Sequence, residues 1–247
     1  MTLDLLVFAP HRDDAELHCG GLLIKMAQKG YAVGVVDLTL GEMATRGTVE
    51  GRAREAAQAA AILGLAARDN LEIPDTRVDS TEENQLKVIR AIRTYRPRLV
   101  LLPYETARHP DHRQTSLLIQ EAAFLSGLPK IDTGQDAHRP QRLVFYFTLY
   151  NYRGITPSFI VDITAQYERK MEAVRTYGSQ FYNPASTEPE TFISRPEFLV
   201  LIDTYSRYFG SLIGVERGEP FFVREYLELD DPVAQFGDQG KARAYLP

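Results

Sequence analysis

Residues 3–8, LDLLVF, form an apolar run broken by a single Asp, and a polar knot of His11, Arg12, Asp13, Asp14 and Glu16 follows almost at once. Such a run predicts a buried parallel strand, which Ala9 and Pro10 bring to an end. What comes next narrows the fold. Leu17, Leu22, Leu23 and Met26 mark an apolar face at helical spacing over 14–29, Gly30 stops it, and residues 32–40, AVGVVDLTL, read as a second buried strand. Strand, helix and strand at this spacing imply a parallel pair with a right-handed crossover, hence an α/β fold. In an open α/β sheet ligands bind where strands hand over to helices, so the knot at 11–16 stands on the functional rim. Asp13 with Glu16 also fits a capping box at the start of the first helix, and Gly20-Gly21 would let that helix lie close to the sheet.

The rest of the chain repeats the pattern. Residues 41–47 are polar and glycine-flanked, a loop on the same rim as His11. An Ala-rich helix over 48–63 has Thr48 as N-cap, Gly64 as stop, and Glu50, Arg52 and Glu55 in its first turns. Residues 71–73 predict a short strand closed by Pro74-Asp75, and 80–95 a helix that stops before Pro97. The strand over 99–102 ends at Pro103 and leads into a second rim loop, 104–111, with Arg108, His109, Pro110 and Asp111, before a helix over 112–126. Farther on, 135–140 is a polar linker, 142–150 and 159–163 are strands, 165–177 and 196–212 are helices, 183–190 is loop and 221–223 a short strand. The simplest organisation is a single domain over 1–247, with a metal-site core of about 1–180 and a C-terminal extension of about 181–247.

Composition excludes several classes. The net charge of −5 and the absence of any block of Lys and Arg argue against nucleic acid or an anionic membrane surface as partner, which leaves small molecules. No apolar run approaches the length of a membrane span, and no basic stretch precedes the first apolar run, so a cytoplasmic protein is expected. Cys19 is the only cysteine, so no intrachain disulfide can form and a bound metal must rest mainly on His and carboxylate. Cys19 itself reads as a small buried apolar side chain.

The chemistry concentrates in two clusters, HRDD at 11–14 and HPDH at 109–112, each at a strand's predicted carboxyl end. Catalytic zinc commonly takes three His or carboxylate ligands and leaves a position for water. His11 and Asp14 supply two across a strand-to-helix turn, and spacing alone leaves the third open between His109 and His112. Of the five histidines three lie in these clusters; His18 reads as a packed or exposed helical residue, with reach to the site as the alternative, and His138 as a solvated one in the linker. A dinucleotide-binding oxidoreductase would need a glycine-rich turn where HRDD stands, and the negative charge there would repel a pyrophosphate. A two-metal phosphoesterase would need more carboxylates near the rim than the sequence places. A non-catalytic metal- or sugar-binding module shares the ligands and stays open.

Pro10-His11-Arg12-Asp13-Asp14-Ala15-Glu16 and His109-Pro110-Asp111-His112 resemble the signatures of the LmbE-like or PIG-L family of zinc-dependent N-deacetylases. The departure is Arg12, where that family usually has proline. Lys170-Met171-Glu172-Ala173, Ser179-Gln180-Phe181 and the run 208–219 resemble the branch acting on N-acetylglucosaminyl-malate in bacillithiol biosynthesis. The resemblance implies a Rossmann-like, mostly parallel sheet with helices on both faces. It also implies a hydrolase that removes the N-acetyl group from an N-acetylglucosamine conjugate, with another N-acetylated small molecule, such as diacetylchitobiose or a thiol conjugate, as the alternative. His11, Asp14 and His112 would then be the ligands of Zn2+, with Fe2+ compatible. Asp13 would be the general base, His109 oriented by Asp111 a cation for the oxyanion, and Arg52 and Arg108 substrate-binding residues. The expected partner is an N-acetylated sugar conjugate, and a homo-oligomer is compatible.

Overall fold

The computed structural model describes residues 1–149 and 154–236. Tyr150, the last residue of one expected strand, and 237–247 of the expected C-terminal extension lie outside the described residues. Among those described, seven strands form one sheet in the order β3-β2-β1-β4-β5-β7-β6. The strands are β1 (Leu5–Ala9), β2 (Val33–Asp37), β3 (Ala67–Asn70), β4 (Leu99–Pro103), β5 (Arg142–Tyr146), β6 (Phe159–Asp162) and β7 (Gly218–Phe222). The first five run parallel, while β7 is antiparallel to both β5 and β6. Helices α1 (Asp14–Gln28), α2 (Val49–Leu63), α3 (Glu82–Tyr95) and α4 (Pro110–Leu125) each follow one of the first four strands. A 3-10 turn at Thr164–Gln166 leads into α5 (Tyr167–Arg175), and α6 (Pro196–Ser211) and the short α7 (Pro232–Phe236) complete the chain. The fold is the expected α/β sheet, mostly parallel, with helices on both faces.

Strand alternation explains the two faces. In β1, Leu5, Val7 and Ala9 pack with α1, α2, α5 and α6 through Leu22, Ala59, Val174 and Ile202, whereas Leu6 and Phe8 pack with α3 and α4 through Ile92 and Leu118. Each buried Leu, Val, Ile or Phe among them is worth up to roughly 1.5–3 kcal/mol over its exposed state. The helix ends agree with their sequence signals: Thr48 Oγ1 accepts from Gly51 N–H at 3.0 Å, and Gly64 closes α2 at φ 74°.

Four expectations need correcting. The third strand is 67–70 rather than 71–73; its sequence, ARDN, hides an edge strand because Arg68 turns inward onto Asp37 and Glu16. Asp13 is the N-cap of α1 but makes no side-chain capping bond, and Glu16 pairs with Arg68 and Tyr177 instead of completing a box. The first helix is not continuous. It breaks at Cys19, where φ is −143°, and the buried carboxylate of Glu219 accepts from Gly21 N–H and Leu22 N–H while pairing with Lys170 at 2.8 Å. Gly21 lies close against the sheet, as expected: a Cβ there would stand 2.7 Å from Ile163, the residue that follows β6. The fourth concerns His138, whose Nε2 lies 2.8 Å from the carbonyl of Pro97, so it is a bonded residue rather than a solvated one. Cys19 is fully buried, as expected.

Candidate active site

The chain lays β2 and β3 on one side of β1 and then crosses to place β4 on the other. That reversal opens a crevice at the carboxyl ends of β1 and β4, the place where open α/β sheets bind ligands. Both polar clusters sit there. His11 follows β1, and Pro110 opens α4 directly after β4's loop, with His109 as N-cap.

Asp14 is the point of convergence. Its Oδ2 accepts from the backbone N–H of His11 at 3.0 Å and lies 3.1 Å from His11 Nδ1 and 3.2 Å from His112 Nε2. Two imidazole nitrogens thus crowd one buried carboxylate oxygen, and the three donor atoms of His11, Asp14 and His112 all fall within 4.8 Å of one another. His11, His109 and Asp111 form a second such group, sharing His11 with the first. The opposite ring nitrogen of His11, Nε2, faces Asp75 Oδ1 at 3.3 Å and Asp111 Oδ2 at 3.4 Å. Burial on its own would lower the pKa of His11, but hydrogen bonding to Asp111, Asp14 and Asp75 outweighs it and holds the ring well above its usual value. Asp14 moves the other way: burial is overcome by the charge of His112 and by hydrogen bonds from the neighbouring rings, which hold its carboxyl well below the usual range.

Asp13 points toward a different partner. Arg52 Nη2 stands 3.4 Å from Asp13 Oδ2, and Arg52 Nη1 donates to the carbonyl of Gly41 at 3.3 Å. Gly41 has φ 72°, and a Cβ there would meet Arg52 Nη1 at 1.9 Å, so only glycine lets the guanidinium pass. Below this loop Arg68 bonds Glu16, Asp37 and the Arg12 carbonyl, and the same carbonyl accepts from the Tyr177 hydroxyl.

The β4 side is built differently. His109 Nδ1 accepts from the backbone N–H of Asp111 at 3.2 Å, so the backbone of Asp111, not its carboxylate, orients this ring. An accepting Nδ1 carries no proton, which makes the ring a neutral tautomer with its proton on Nε2. Burial and the charges of His11 and His112 lower the His109 pKa, in keeping with a neutral donor rather than the cation expected. The Asp111 carboxylate instead accepts from Thr76 N–H at 3.0 Å and faces His11.

Seven of the eight expected site residues, His11, Asp13, Asp14, Arg52, Arg108, His109 and His112, line one cavity of about 440 Å³; Asp111 lies behind His11. Three further contributors were not among the expected site residues. Asp75 also lines the cavity and ties the 41–47 loop to it, accepting from Met43 N–H while its own N–H donates to Glu42 Oε1. Its place at the rim after β3 was the available signal, obscured by the misplaced strand. His18, expected to be a packed or exposed helical residue, stacks on Tyr146 at 5.7 Å and brings Nε2 to 3.6 Å from Asp14 Oδ1. Phe192, half exposed, forms part of an apolar wall with Ile193 and Phe198. No short-range pattern ties residues 192–198 to a site built before residue 113.

The donor set fits a divalent ion. Two imidazoles and a carboxylate, with His112 Nδ1 buried and without a hydrogen-bond partner among the described residues, are the ligand types that zinc and related ions take.

Known proteins resemble this chain over the residues that build the site. Residues 6–123 match the family model described as PIG-L, GlcNAc-PI de-N-acetylase. The diacetylchitobiose deacetylase of Thermococcus kodakarensis is 36% identical over 194 residues, covering 72% of this chain and 70% of the relative. A probable N-acetyl-alpha-D-glucosaminyl L-malate deacetylase 2 of Bacillus anthracis is 26% identical, covering 79% and 94%. Among solved structures, the conserved protein TT1542 of Thermus thermophilus superposes with a TM-score of 0.83 at 40% identity, covering 93% of this chain and 98% of that one. The matched stretch begins in β1 and runs into α4, so it carries both clusters that converge on Asp14, and on this ground the chain belongs to the PIG-L family of deacetylases.

Proposed function

We propose that this protein hydrolyses the N-acetyl group of an N-acetylglucosamine conjugate, using a zinc ion held by His11, Asp14 and His112. The observation that carries the reading is the meeting of His11 Nδ1 and His112 Nε2 on Asp14 Oδ2, in a cavity that Asp13 and His109 also line. A divalent ion held by these three residues would polarise the acetyl carbonyl and make a water molecule acidic near neutral pH. Asp13 takes the proton from the attacking water and passes it to the departing amine, and Arg52 keeps its carboxylate in place. His109 offers its Nε2–H to the oxyanion that forms as the carbonyl carbon becomes tetrahedral. Asp75 and Asp111 hold His11 Nε2, which leaves Nδ1 turned toward Asp14.

For the second half of the substrate, malate is the first reading. It is supported by Arg108 on the cavity wall, by Arg46 on the same wall, which also bonds Ser186 and faces Glu188, and by the likeness to the Bacillus anthracis protein. A guanidinium binds a carboxylate through two parallel hydrogen bonds. A neutral second sugar, as in diacetylchitobiose, is the other reading. It is favoured by Arg52 being engaged with Asp13 and Gly41, by the apolar wall at Phe192, and by the Thermococcus relative. A cytoplasmic setting belongs to the same reading; no helix among the described residues is long and apolar enough to cross a membrane.

The test is acetate release from N-acetylglucosaminyl-malate and from N,N'-diacetylchitobiose, with and without a chelator, followed by zinc repletion. Turnover that survives complete metal removal ends the metal-dependent reading, and equal kcat/KM for both conjugates ends the malate assignment.

A further inference from the structure

Arg12 stands between a proposed ligand and the proposed base, yet it is not part of the cavity wall. It is 7% exposed, and its side chain leaves the loop sideways: Nη1 donates to the carbonyl of Val49 at 2.7 Å, at the first residue of α2. Its own carbonyl is fixed from below by Arg68 and the Tyr177 hydroxyl. Three residues on from Val49, on the same side of α2, Arg52 reaches back to Asp13. The loop and the first turn of α2 are therefore joined by two rungs that run in opposite directions, Arg12 to Val49 and Arg52 to Asp13.

Asp13 makes no side-chain bond to the end of α1, so its own helix does not set the direction of its carboxylate. Arg52 is the side chain that meets it, and Arg52 is carried by a helix turn that the Arg12 bond ties to the loop. We propose that Arg12 is a positioning residue for Asp13: by holding the first turn of α2 against the loop, it keeps Arg52 on the Asp13 carboxylate and that carboxylate directed into the cavity. The inference rests on the reading of Asp13 as the base, and it assigns a task to the residue that departs from the family's usual sequence.

The experiment is a double-mutant cycle on the zinc-loaded full chain, using whichever of the two conjugates it deacetylates faster, with bound zinc measured for every variant. Because small misplacements of catalytic groups are costly, Arg12→Met should lower kcat roughly ten- to a hundredfold at an unchanged KM and full zinc. Arg12→Lys, which retains a donor for the Val49 carbonyl, should recover most of that loss. In an Arg52→Met background, adding Arg12→Met should change kcat by less than about twofold, since the two rungs act in series. An experimental structure of Arg12→Met should show the Asp13–Arg52 pair opened, a readout independent of turnover. Additive losses, wild-type kcat in Arg12→Met, a loss confined to KM or to zinc, or an Asp13–Arg52 pair that stays closed would each overturn the proposal. Full activity in Asp13→Asn would instead remove the base assignment on which it rests, and the structure of Arg12→Met would still report whether the rungs are linked.

Discussion

The two rim loops share one sequence pattern, a strand, a polar cluster with His and Asp, then a helix, but the fold treats them in opposite ways. After β1, residues 12–14 are buried and tied across the molecule by Arg68, Tyr177 and Val49. After β4, His109 is exposed and is held by the second residue of its own helix, while the next two polar residues of that cluster, Asp111 and the proposed ligand His112, are buried. The difference matches the work proposed for each. Ligands that share a carboxylate must be fixed to within fractions of an ångström, and that demands supporting bonds behind them. A donor that meets substrate must face the opening, where few supports can reach it.

Fixing the β1 loop has an electrostatic condition. Glu16 and Asp37 are buried beneath it, and Arg68 between them is held charged, its pKa well above the ordinary value because Asp37 and Glu16 outweigh the cost of burying it. Such a cluster is tolerable only when complete, since a buried charge left alone costs far more than the intact pair contributes.

The largest break in the comparison is removal of a ligand from the convergence point. His112→Ala should lose stoichiometric zinc and with it all measurable deacetylation, because three protein ligands are close to the minimum for tight binding. Circular dichroism should show the fold kept, and elemental analysis measures the metal: a full complement of zinc would pass the third ligand's role to His109, the alternative that spacing left open.

Next is the support beneath the loop. Arg68→Met strands Glu16 and Asp37 and should lower stability by roughly 3–5 kcal/mol, the usual result of breaking a buried ion pair from one side. Urea unfolding measures this. A loss under about 1 kcal/mol would mean that water reaches those carboxylates and that the β1 loop is no better supported than the β4 loop.

His109→Ala tests the exposed side. Loss of one oxyanion donor typically costs on the order of 10²–10³ in kcat, so turnover should fall by that much while zinc content stays full. Stability should drop by only about 0.5–2 kcal/mol, the value of a lost N-cap. Wild-type kcat would leave His109 with capping alone.

How much of this was legible follows from range. The parallel half of the sheet, β1, β2, β4 and the helices after them, announced itself through apolar runs and local stops, and both clusters fell on the rim for the same reason. β3 did not, because its inward-facing Arg68 answers to Asp37 and Glu16, 31 and 52 positions away. The break in α1 was equally out of reach, since the carboxylate that receives its free N–H groups is Glu219, 198 positions from Gly21. Within the site the residue types were readable but their pairings were not. Arg52 carries the charge expected for substrate, yet it is turned onto Asp13, and Asp111 orients His109 through its backbone N–H while its carboxylate addresses His11.

The smallest effect separates the two loops by their protons. His11 has a raised pKa, held by Asp111, Asp14 and Asp75, whereas that of His109 is lowered. A ligand must surrender its proton to the metal, so zinc affinity should rise by about tenfold per pH unit from pH 6 upward until the raised pKa of His11 is passed, with one proton released per ion. The stability of chelator-treated protein should show the opposite trend. A group whose folded pKa lies above its unfolded value, about 6.5 for His, contributes its full share below that pH and loses it as pH climbs through the folded value. Asp14, with a depressed pKa, contributes above the unfolded value of about 3.9 and loses its share only in stronger acid. Melting temperature of the stripped protein should therefore decline from pH 6 to 8 while zinc affinity increases. His109→Ala should leave both slopes in place, because His109 is not one of the proposed ligands and its own pKa is shifted downward. Equal zinc affinity at pH 6 and pH 8 in the wild type would mean that His11 is already unprotonated and that its three carboxylates serve to aim the ring rather than to charge it.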